Sequence, residues 1–473
     1  MQHLLISAPH KSSGKTIVSV GLCAALRARG LAVQPFKKGP DFIDPLWLSA
    51  AAGRDCHNLD FHTMDRDEVT ATFVRHASRA DVSIIEGTKG LFDGVSLDGS
   101  DCNAALAECL SSPVILVVDT RGMTRGVAPM IRGFQSFGQS SDHDIRIGGV
   151  ILNQVGGARH EGKLRAAIAH YTDVPVLGAI GKNEQLDIPE RHIGLVPASE
   201  HHQASETVQR IGDLVAAQVD LDQVLAVAGS HPSLRRVQNR AAAEGQVAAD
   251  VRLGIARDAA FGFYYPGDLE ALRAGGAELV AIDTLRDSAL PDVDGLFLGG
   301  GFPEMHMAAL AANSSLRTAI RDAVRAGLPV YAECGGLMYL SRRIRWGDSR
   351  AEMVGAIQAD VVMRERPQGR GYVILEETGK GPWPGSGSAT IHAHEFHHSE
   401  LENCAPDVEF AYRVVRGNGI DGSHDGVVHR NVLASYAHLR DTAANHWTRR
   451  FLGFIRSRRT GSISSPWRRF LVG

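Results

Sequence analysis

The chain of 473 residues has only six cysteines, and no two of them form a CxxC pair. That spacing argues against zinc ribbons and thioredoxin-like redox motifs, both of which need paired cysteines. So few cysteines in so long a chain are also too sparse for a disulfide framework, and they fit a reducing compartment. We therefore expect a cytoplasmic protein. The cysteines are Cys23, Cys56, Cys102, Cys109, Cys334 and Cys404.

Long apolar runs and an excess of one charge are also missing. No stretch of about 18 apolar residues occurs, so no membrane span is expected. The first residues, MQHLLISAPHKSSGKT, contain no charged leader before an apolar stretch. The formal net charge is −3, which gives no general attraction to nucleic acid. A hydrophobic share of 44% and a charged share of 22% are typical of globular domains with apolar cores.

Short β-branched runs alternate with amphipathic segments in the first half of the chain, and a second alternation of this kind begins at Arg252. Strands that alternate with helices predict βαβ units, and hence an α/β fold with a parallel sheet covered on both faces. Helices are predicted at residues 16–29 and 103–110. The predicted strands are residues 3–7, 82–86, 114–119, 148–152 and 176–179 in the first half, and residues 252–256, 278–282, 295–298 and 329–332 in the second.

These two alternating patterns predict two domains of different fold. We expect the first domain over residues 1–229, a linker over residues 230–249 and the second domain over residues 250–447. Residues 448–473 are interpreted as a basic tail, because seven arginines and no acidic residue follow Trp447. Such a composition is typical either of a frayed, solvated terminus or of a patch for a membrane surface or nucleic acid.

A phosphate-binding loop is predicted between the first strand and the first helix. The segment APHKSSGKT ends in Gly14, Lys15 and Thr16. Backbone N–H groups of such a loop bind phosphates, its lysine neutralises the β- and γ-phosphates, and its threonine hydroxyl binds Mg²⁺. The usual first glycine of the motif is replaced by Pro9. Asn153, at the end of a predicted strand, is interpreted either as a contact to the adenine edge or as a turn residue.

Four carboxylates follow in two motifs of the first domain. Asp41 and Asp44 lie in KKGPDFIDP, and Glu86 and Asp93 lie in EGTKGLFDG. Glu86 ends a predicted strand, where ligands of open α/β sheets bind, so it is a candidate Mg²⁺ ligand. The two aspartates suit a loop that meets Mg²⁺ and the reacting phosphoryl group, or else form a solvated acidic turn. If all four converge, their like charges need a cation.

A nucleophile elbow is predicted in the second domain. Cys334 directly follows an apolar strand in AECGGLMYL, in a Gly-Gly turn that opens a helix. Such a turn exposes the sulfur, and the helix N-terminus is expected to lower the pKa of the thiol. His438, in the strand-like run of residues 432–440, is the candidate base; a buried small hydrophobe is the alternative for a lone cysteine. Oxyanion and glutamine contacts, which N–H groups of glycine loops provide, are assigned to Gly299, Gly300, Gly301 and Gly335.

Taken together, these segments resemble the cobyrinate or hydrogenobyrinate a,c-diamide synthase family over nearly all of residues 1–445. The resemblance implies a dethiobiotin-synthetase-like P-loop domain followed by a class I glutamine amidotransferase domain. The shared motifs are the GKT loop, KKGPDFIDP, EGTKGLFDG, GVILNQV, FYYPGDLEAL, LGGGFPE, AECGGLMYL, HEFHHSE and ASYAHL.

The resemblance also implies the reaction and the roles of the residues. The a and c carboxylates of a tetrapyrrole are amidated in turn through acyl phosphates, with ATP as co-substrate, Mg²⁺ as cofactor and ammonia passed from glutamine inside the protein. The four carboxylates serve ATP, metal and carboxylate activation, Cys334 is the glutaminase nucleophile and His438 is its base. Tetrapyrrole, glutamine and ATP are then the binding partners, and a homodimer is kept as a hypothesis.

One departure from the resemblance concerns the base. Class I amidotransferases usually have a Glu two residues after the catalytic His, and the family often has a second His there, but this chain has Arg440. The change leaves open what orients His438. His397, in HEFHHSE, is interpreted either as a contact to a ring carboxylate or as a residue that ties a turn.

Three alternative functions share part of the pattern. Relatives of the family amidate sirohaem or sirohydrochlorin, so these rings compete with the corrinoid. A CTP synthase or cobyric acid synthase has the same pair of domains, but the FYYPGDLEAL and EFHHSE stretches argue against both. A partition-type ATPase scaffold, the non-enzymatic alternative, has a signature Lys where this chain has His10, and it gives Cys334 no role.

Overall fold

Each half of the chain folds around its own apolar cores. The structure is a computed structural model that describes residues 1–140, 145–182, 190–191, 194–195, 203–230, 247–383, 385 and 390–460. The chain divides into two compact units, Met1–Ala242 and Ala243–Gly473. The predicted linker, residues 230–249, lies mostly outside the described residues, so its bounds stay a prediction.

The first unit alternates strands and helices, as its sequence predicts. Its strands are β1 (Gln2–Ser7), β2 (Val33–Lys38), β3 (His57–Leu59), β4 (Val82–Glu86), β5 (Val114–Asp119), β6 (Ile147–Val155), β7 (Val176–Gly181), β8 (Glu190–Arg191) and β9 (Gly194–Leu195). Its helices are α1 (Lys15–Ala28), α2 (Ile43–Ala52), α3 (Arg66–Ala77), α4 (Asn103–Cys109), α5 (Val127–Ser140), α6 (Ala158–Tyr171), α7 (Ala204–Gln218) and α8 (Leu221–Ala228).

A seven-stranded parallel sheet forms the centre of this unit, in the order β3-β2-β4-β1-β5-β6-β7. Helices α1, α2, α7 and α8 pack on one face, and α3 to α6 pack on the other. Both faces are therefore buried, which explains the nearly continuous apolar runs of β4 and β5. The carboxyl ends of β1, β2 and β4 lie side by side and carry the loops that contain the predicted nucleotide motifs.

Two strands of this sheet, β2 and β3, are absent from the sequence prediction. All six residues of β2 are buried, although it contains Pro35, Lys37 and Lys38. Proline and charged residues are depleted in strands, so the composition of β2 does not predict a strand. Lys37 is tolerated at the buried strand end because carboxylates surround its ammonium, as described below.

The second unit combines a parallel sheet with antiparallel strands. Its strands are β10 (Val251–Ala256), β11 (Phe261–Phe263), β12 (Ala277–Ile282), β13 (Gly295–Leu298), β14 (Gly300–Gly301), β15 (Val330–Glu333), β16 (Arg343–Trp346), β17 (Ser349–Glu352), β18 (Asp360–Met363), β19 (Gly369–Glu377), β20 (Ile391–His397), β21 (Ser399–Glu402), β22 (Glu409–Arg416), β23 (His424–His429) and β24 (Val432–Ser435). Its helices are α9 (Pro266–Ala274), α10 (Met307–Ala312), α11 (Ser314–Arg325), α12 (Gly335–Leu340) and α13 (Trp447–Thr460).

The main sheet of this unit has nine strands in the order β12-β10-β13-β15-β24-β23-β22-β19-β20. The pairs from β12 to β24 are parallel, and those from β24 to β20 are antiparallel. The sequence predicts four of the parallel strands within one or two residues. The predicted run of residues 432–440 is a strand only as far as Ser435, so His438 lies in the segment that follows the strand.

The structure corrects the predicted basic tail over residues 448–460. These residues belong to α13, whose Trp447, Phe451 and Ile455 are fully buried in the core of the second unit. Apolar residues three and four positions apart form one face of a helix, whereas counting arginines alone hides that pattern. Three of the arginines form ion pairs, Arg450 with Glu377, Arg456 with Asp250 and Arg459 with Asp294. Residues 461–473 lie outside the described residues.

Candidate active sites

The loop between β1 and α1 has the backbone shape of a phosphate-binding loop. Ser12 and Gly14 adopt the left-handed conformation, with φ of 61° and 88°. A Cβ on Gly14 would lie 2.1 Å from Asn153 Nδ2, so the position requires glycine. The loop runs directly into the first turn of α1, whose N–H groups have no partner within the helix and are suited to bind anions. The geometry therefore fits the predicted phosphate site at Gly14, Lys15 and Thr16.

Asn153 supports this loop from the neighbouring strand β6. Its buried Nδ2 donates to Ser13 O at 2.9 Å. The side chain therefore braces the backbone of the phosphate loop. Its predicted part in nucleotide binding remains a prediction.

A buried lysine joins three of the predicted carboxylates at the carboxyl ends of β2 and β4. Lys37 Nζ lies 2.6 Å from Asp44 Oδ2 and 3.0 Å from Glu86 Oε1. Asp41 Oδ2 lies 3.9 Å from the same nitrogen. Thr16 Oγ1 donates to Glu86 Oε1 at 2.8 Å. The threonine of the loop and three carboxylates from distant parts of the sequence thus meet in one site.

The charges of this site are only partly balanced by Lys37. Burial and the neighbouring Asp44 carboxylate raise the pKa of Asp41 to about 7. Burial likewise raises the pKa of Glu86 above its ordinary value, against the attraction of Lys37. Glu86 Oε2 is buried and accepts no hydrogen bond from the described part of the chain. Hard divalent cations bind oxygen atoms of this kind, so Thr16 and these carboxylates fit a Mg²⁺ site.

Asp93 is the one predicted carboxylate that does not contact Lys37 among the described residues. Its side chain is exposed, and its Oδ2 accepts the N–H of Gly90 in its own loop at 3.0 Å. Its charge acts on the Lys15 ammonium, so it lies near the phosphate loop. Three of the four predicted carboxylates therefore meet at Lys37, whereas Asp93 lies in its own turn near Lys15 and its predicted role stays a prediction.

In the second unit, Cys334 occupies a sharp turn between β15 and α12. Its φ of 46° and ψ of −102° are unusual for a residue with a side chain. Its N–H donates to Ser435 O at 2.7 Å, which ties the turn to β24. A Cβ on Gly336 would lie 2.1 Å from Leu298 O, so the turn needs glycine at that position. This is the nucleophile elbow that the sequence predicts.

The glycine loop after β13 lies against both the elbow and the imidazole of His438. A Cβ on Gly335 would lie 3.0 Å from Gly301 N, and a Cβ on Gly300 would lie 2.6 Å from His438 Cε1. The N–H of Gly299, however, donates to Tyr264 Oη at 3.0 Å. Gly299 is therefore removed from the predicted oxyanion donors, while Gly300, Gly301 and Gly335 remain candidates.

Two family models match the chain. Residues 5–196 match the CobQ/CobB/MinD/ParA nucleotide binding domain, and residues 252–445 match the CobB/CobQ-like glutamine amidotransferase domain. The chain is 48% identical to a cobyrinate a,c-diamide synthase of Magnetococcus marinus over 98% of either chain. The chain belongs to the cobyrinate a,c-diamide synthase family. Relatives of that name from Methanosarcina acetivorans and Archaeoglobus fulgidus are each 40% identical, over 93% and 95% of this chain and 92% and 96% of theirs.

Membership of the cobyrinate a,c-diamide synthase family confirms the predicted fold class and the predicted class of enzyme, a glutamine-dependent ligase. The partition-type ATPase alternative fits only the description of the first domain, which includes MinD and ParA. The amidotransferase domain and the full-length relatives exclude it. Among the helices that the structure describes, none combines the length and the apolarity that a membrane span needs.

The thiol of Cys334 departs from the prediction made for this family site. Burial raises its pKa above the ordinary value, and the Glu304 and Glu333 carboxylates act in the same direction. A hydrogen bond from the N–H of Gly335 acts in the opposite direction. The helix that follows, α12, has just six residues, so its dipole is too short to outweigh burial. The resting residue is a thiol, with its Sγ 3.8 Å from the carbonyl oxygen of Phe396, and it needs a base.

Two further side chains have clear contacts. Arg440, where most class I enzymes have a glutamate, is buried with its guanidinium 5.1 Å from the centre of the Tyr265 ring. His397 stacks on Tyr436 at 3.8 Å, and its Nδ1 lies 2.8 Å from Ser399 O. These contacts favour the interpretation of His397 as a residue that ties a turn.

Sequence reasoning missed two residues that organise the nucleotide site. Lys37 belongs to the KKGPDFIDP motif, but no role is predicted for it, although a lysine near two aspartates in the sequence is a signal of charge pairing. Asn103 gives no such signal, because it opens an ordinary helix. In the structure its Nδ2 donates to Thr88 O at 2.8 Å and to Gly90 O at 2.7 Å, which fixes the loop that carries Asp93.

Proposed function

We propose that this chain amidates the a and c carboxylates of cobyrinate, using ATP and ammonia from glutamine. The observation that carries the proposal is the presence, in one chain, of a phosphate loop beside a lysine–carboxylate cluster and of a cysteine elbow and a histidine that lie against the same glycine loop. Relatives that bear the name cobyrinate a,c-diamide synthase match 98% and 93% of this chain, and so both of its halves. Neither half is sufficient for amide synthesis from glutamine, because one activates a carboxylate and the other releases ammonia.

In the first unit, ATP binds with its phosphates on the loop and on Lys15. Burial lowers the pKa of Lys15 to about 8, and the nearby Lys37 adds to this, so the side chain is mostly charged at neutral pH. Thr16, Glu86 and Asp41 would hold Mg²⁺, which offsets negative charge on the phosphates when bound. Asp44 is held ionised: burial opposes this, but Lys37 at 2.6 Å keeps the pKa of Asp44 below its ordinary value.

The activation step joins a ring carboxylate to the γ-phosphoryl group. A carboxylate oxygen attacks the γ-phosphorus, the bond to the bridging oxygen breaks, and ADP leaves with the electron pair. Ammonia then attacks the acyl carbon and loses a proton, and phosphate leaves with the electron pair of the acyl–oxygen bond. Lys37 holds Asp44 and Glu86 in place at this site, and we propose that Asp93 acts at its open side.

In the second unit, Cys334 hydrolyses glutamine. His438 takes the thiol proton as the sulfur attacks the side-chain amide carbon of glutamine. N–H groups from Gly300, Gly301 and Gly335 then stabilise the oxyanion. The proton passes from His438 to the leaving nitrogen, and ammonia departs to the acyl phosphate inside the protein. Water cleaves the thioester and releases glutamate.

The experiment is a substrate panel with the purified full-length chain. ATP, Mg²⁺ and glutamine are supplied with cobyrinate, hydrogenobyrinate, sirohydrochlorin or sirohaem, and the number of amides on each ring is read by mass spectrometry. Two amides on cobyrinate or hydrogenobyrinate are expected. Turnover of sirohaem or sirohydrochlorin alone would overturn the choice of ring and leave the reaction class in place.

A further inference from the structure

A buried carboxylate faces the base of the glutaminase site. Glu333, the last residue of β15 and the residue directly before Cys334, has its Oε2 3.3 Å from His438 Nδ1. Both side chains are 3% exposed. The contact is within ion-pair range but is not aligned as a hydrogen bond, and catalytic hydrogen bonds are often poorly aligned until substrate binds. A charge so near a buried imidazole acts on it with little screening by water.

Two further hydrogen bonds fix this carboxylate in place. Glu333 Oε1 accepts the hydroxyl proton of Tyr331 at 2.6 Å and the N–H of Leu439 at 2.9 Å. Leu439 is the neighbour of His438, so the same carboxylate contacts both the ring of the base and the backbone beside it. Rotation of the carboxylate away from the imidazole would break both bonds in the interior of the protein.

The strands hold the acid, the nucleophile and the base in one register. Glu333 pairs with Ser435 across β15 and β24. The N–H of Cys334 donates to the carbonyl oxygen of Ser435, and His438 follows three residues later, anchored by its N–H to His394 O at 2.7 Å. The pair β15–β24 therefore places Glu333 and Cys334, and the bond to β20 places His438.

The contact also decides which nitrogen of His438 is the base. A proton on Nδ1 is stabilised by Glu333, which leaves Nε2 as the acceptor. Nε2 faces the glycine loop, since a Cβ on Gly300 would lie 3.4 Å from it and 2.6 Å from Cε1. When Nε2 takes the thiol proton, the imidazolium is next to a carboxylate and is stabilised until the proton moves to the leaving ammonia.

We propose that Glu333 is the positioning acid of this glutaminase site, holding His438 in the tautomer that accepts the proton of Cys334. In this chain, the residue directly before the nucleophile thus orients the catalytic histidine. In other class I enzymes this function usually belongs to a glutamate at the position of Arg440. The inference rests on the proposed glutamine hydrolysis, whereas the choice of tetrapyrrole does not affect it.

The test compares Glu333→Gln with the wild-type chain in the complete reaction. Gln keeps an oxygen for Tyr331 and Leu439 but presents an N–H group to His438, which favours the wrong tautomer. In the Ser-His-Asp triad of a serine protease, a wrong histidine tautomer lowers kcat by about 10⁴-fold. We therefore expect the glutamine-supported kcat of Glu333→Gln to fall at least about 100-fold. The KM for glutamine and the rate with ammonium salts should stay near their wild-type values, and Glu333→Asp should recover part of the loss.

Three controls separate this inference from a structural effect and from failure of the proposed function. Tyr331→Phe removes one bond to Glu333 but keeps the acid, so it should lower the glutamine-supported kcat far less than Glu333→Gln. Cys334→Ala reports whether glutamine use depends on the elbow at all. A Glu333→Gln chain with unchanged glutamine-supported kcat, in a protein whose Cys334→Ala variant is inactive with glutamine, overturns the role of Glu333 alone. If the Gln variant does not fold, Glu333→Ala takes its place, and a folded Ala variant with wild-type glutamine-supported kcat overturns that role equally.

Discussion

The substitution Gly300→Ala examines how closely the glycine loop packs on the base of the glutaminase site. The added Cβ would lie 2.6 Å from His438 Cε1 and 3.3 Å from Phe263 Cβ. Carbon atoms in contact are ordinarily about 3.5–4.0 Å apart, so the imidazole must move by roughly 1 Å. The backbone of His438 is fixed by the N–H bond to His394, and the ring therefore has to rotate instead of shifting with its chain.

A misplacement of about 1 Å at a reacting group costs on the order of 100-fold in rate. We therefore expect Gly300→Ala to lower the glutamine-supported kcat by about that factor, which corresponds to about 2.7 kcal/mol. The rate with ammonium salts should be unchanged, because the first unit needs no glutaminase when ammonia is supplied. The assay measures glutamate release and amide formation in parallel, with either nitrogen source.

The matched control is Gly267→Ala, in helix α9 of the same unit, where an added Cβ meets nothing within 4 Å. This variant should keep wild-type rates with both nitrogen sources. If Gly300→Ala also retained a glutamine-supported rate within about threefold of wild type, His438 would not occupy the position that a base needs, and the reasoning would fail.

Three other perturbations address the nucleotide site and the C-terminal helix. Lys37→Met leaves buried carboxylates without their cation. It should therefore lower the free energy of unfolding by about 3–5 kcal/mol in denaturant titrations, and abolish activity with either nitrogen source. A stable, active variant would contradict the pairing of Lys37 with these carboxylates. Asp41→Asn should stabilise the chain more at pH 8 than at pH 5. The folded-state pKa of about 7 is raised above the ordinary value of 3.8, so ionisation lowers stability progressively as the pH rises through this window, and Asn avoids that loss; an equal effect at both values would refute the shift. Phe451→Ala should lower the free energy of unfolding by about 3–5 kcal/mol. Arg449→Ala, at an exposed position of the same helix, should lower it by less than about 0.5 kcal/mol. Equal effects would instead support the interpretation of residues 448–460 as a solvated tail.

The parts of the fold that follow hydrophobic periodicity are predictable from the sequence. Strands β1, β4 and β5 are apolar because both faces of their sheet are covered, and their pattern is visible without any structure. Strand β2 follows no such pattern, because its last two residues are lysines whose burial depends on partners elsewhere in the chain. Helix α13 was obscured by its arginines, although the spacing from Trp447 to Phe451 to Ile455 is that of a buried helix face.

The candidate sites were predictable where a motif is local and were not where partners are distant in sequence. Gly14, Thr16 and Cys334 stand in short motifs whose backbone geometry fixes the role. The contact between Glu333 and His438 joins residues more than 100 positions apart, and only the register of β15 with β24 brings them together. The direction of the Cys334 pKa was mispredicted for a similar reason, since the helix dipole is a local effect and burial is not.

In the proposed reaction, a carboxylate-activating site and a separate glutamine-hydrolysing site serve one amidation. The most direct measurement is amide formation by Cys334→Ser and Lys15→Ala variants, each supplied with glutamine and, separately, with ammonium salts. We expect Cys334→Ser to lose the glutamine-supported reaction but to keep the ammonia-supported one, whereas Lys15→Ala loses both. Loss of the ammonia-supported reaction in a folded Cys334→Ser variant, or glutamine-supported synthesis by that variant, would show that the two sites do not divide the reaction in this way.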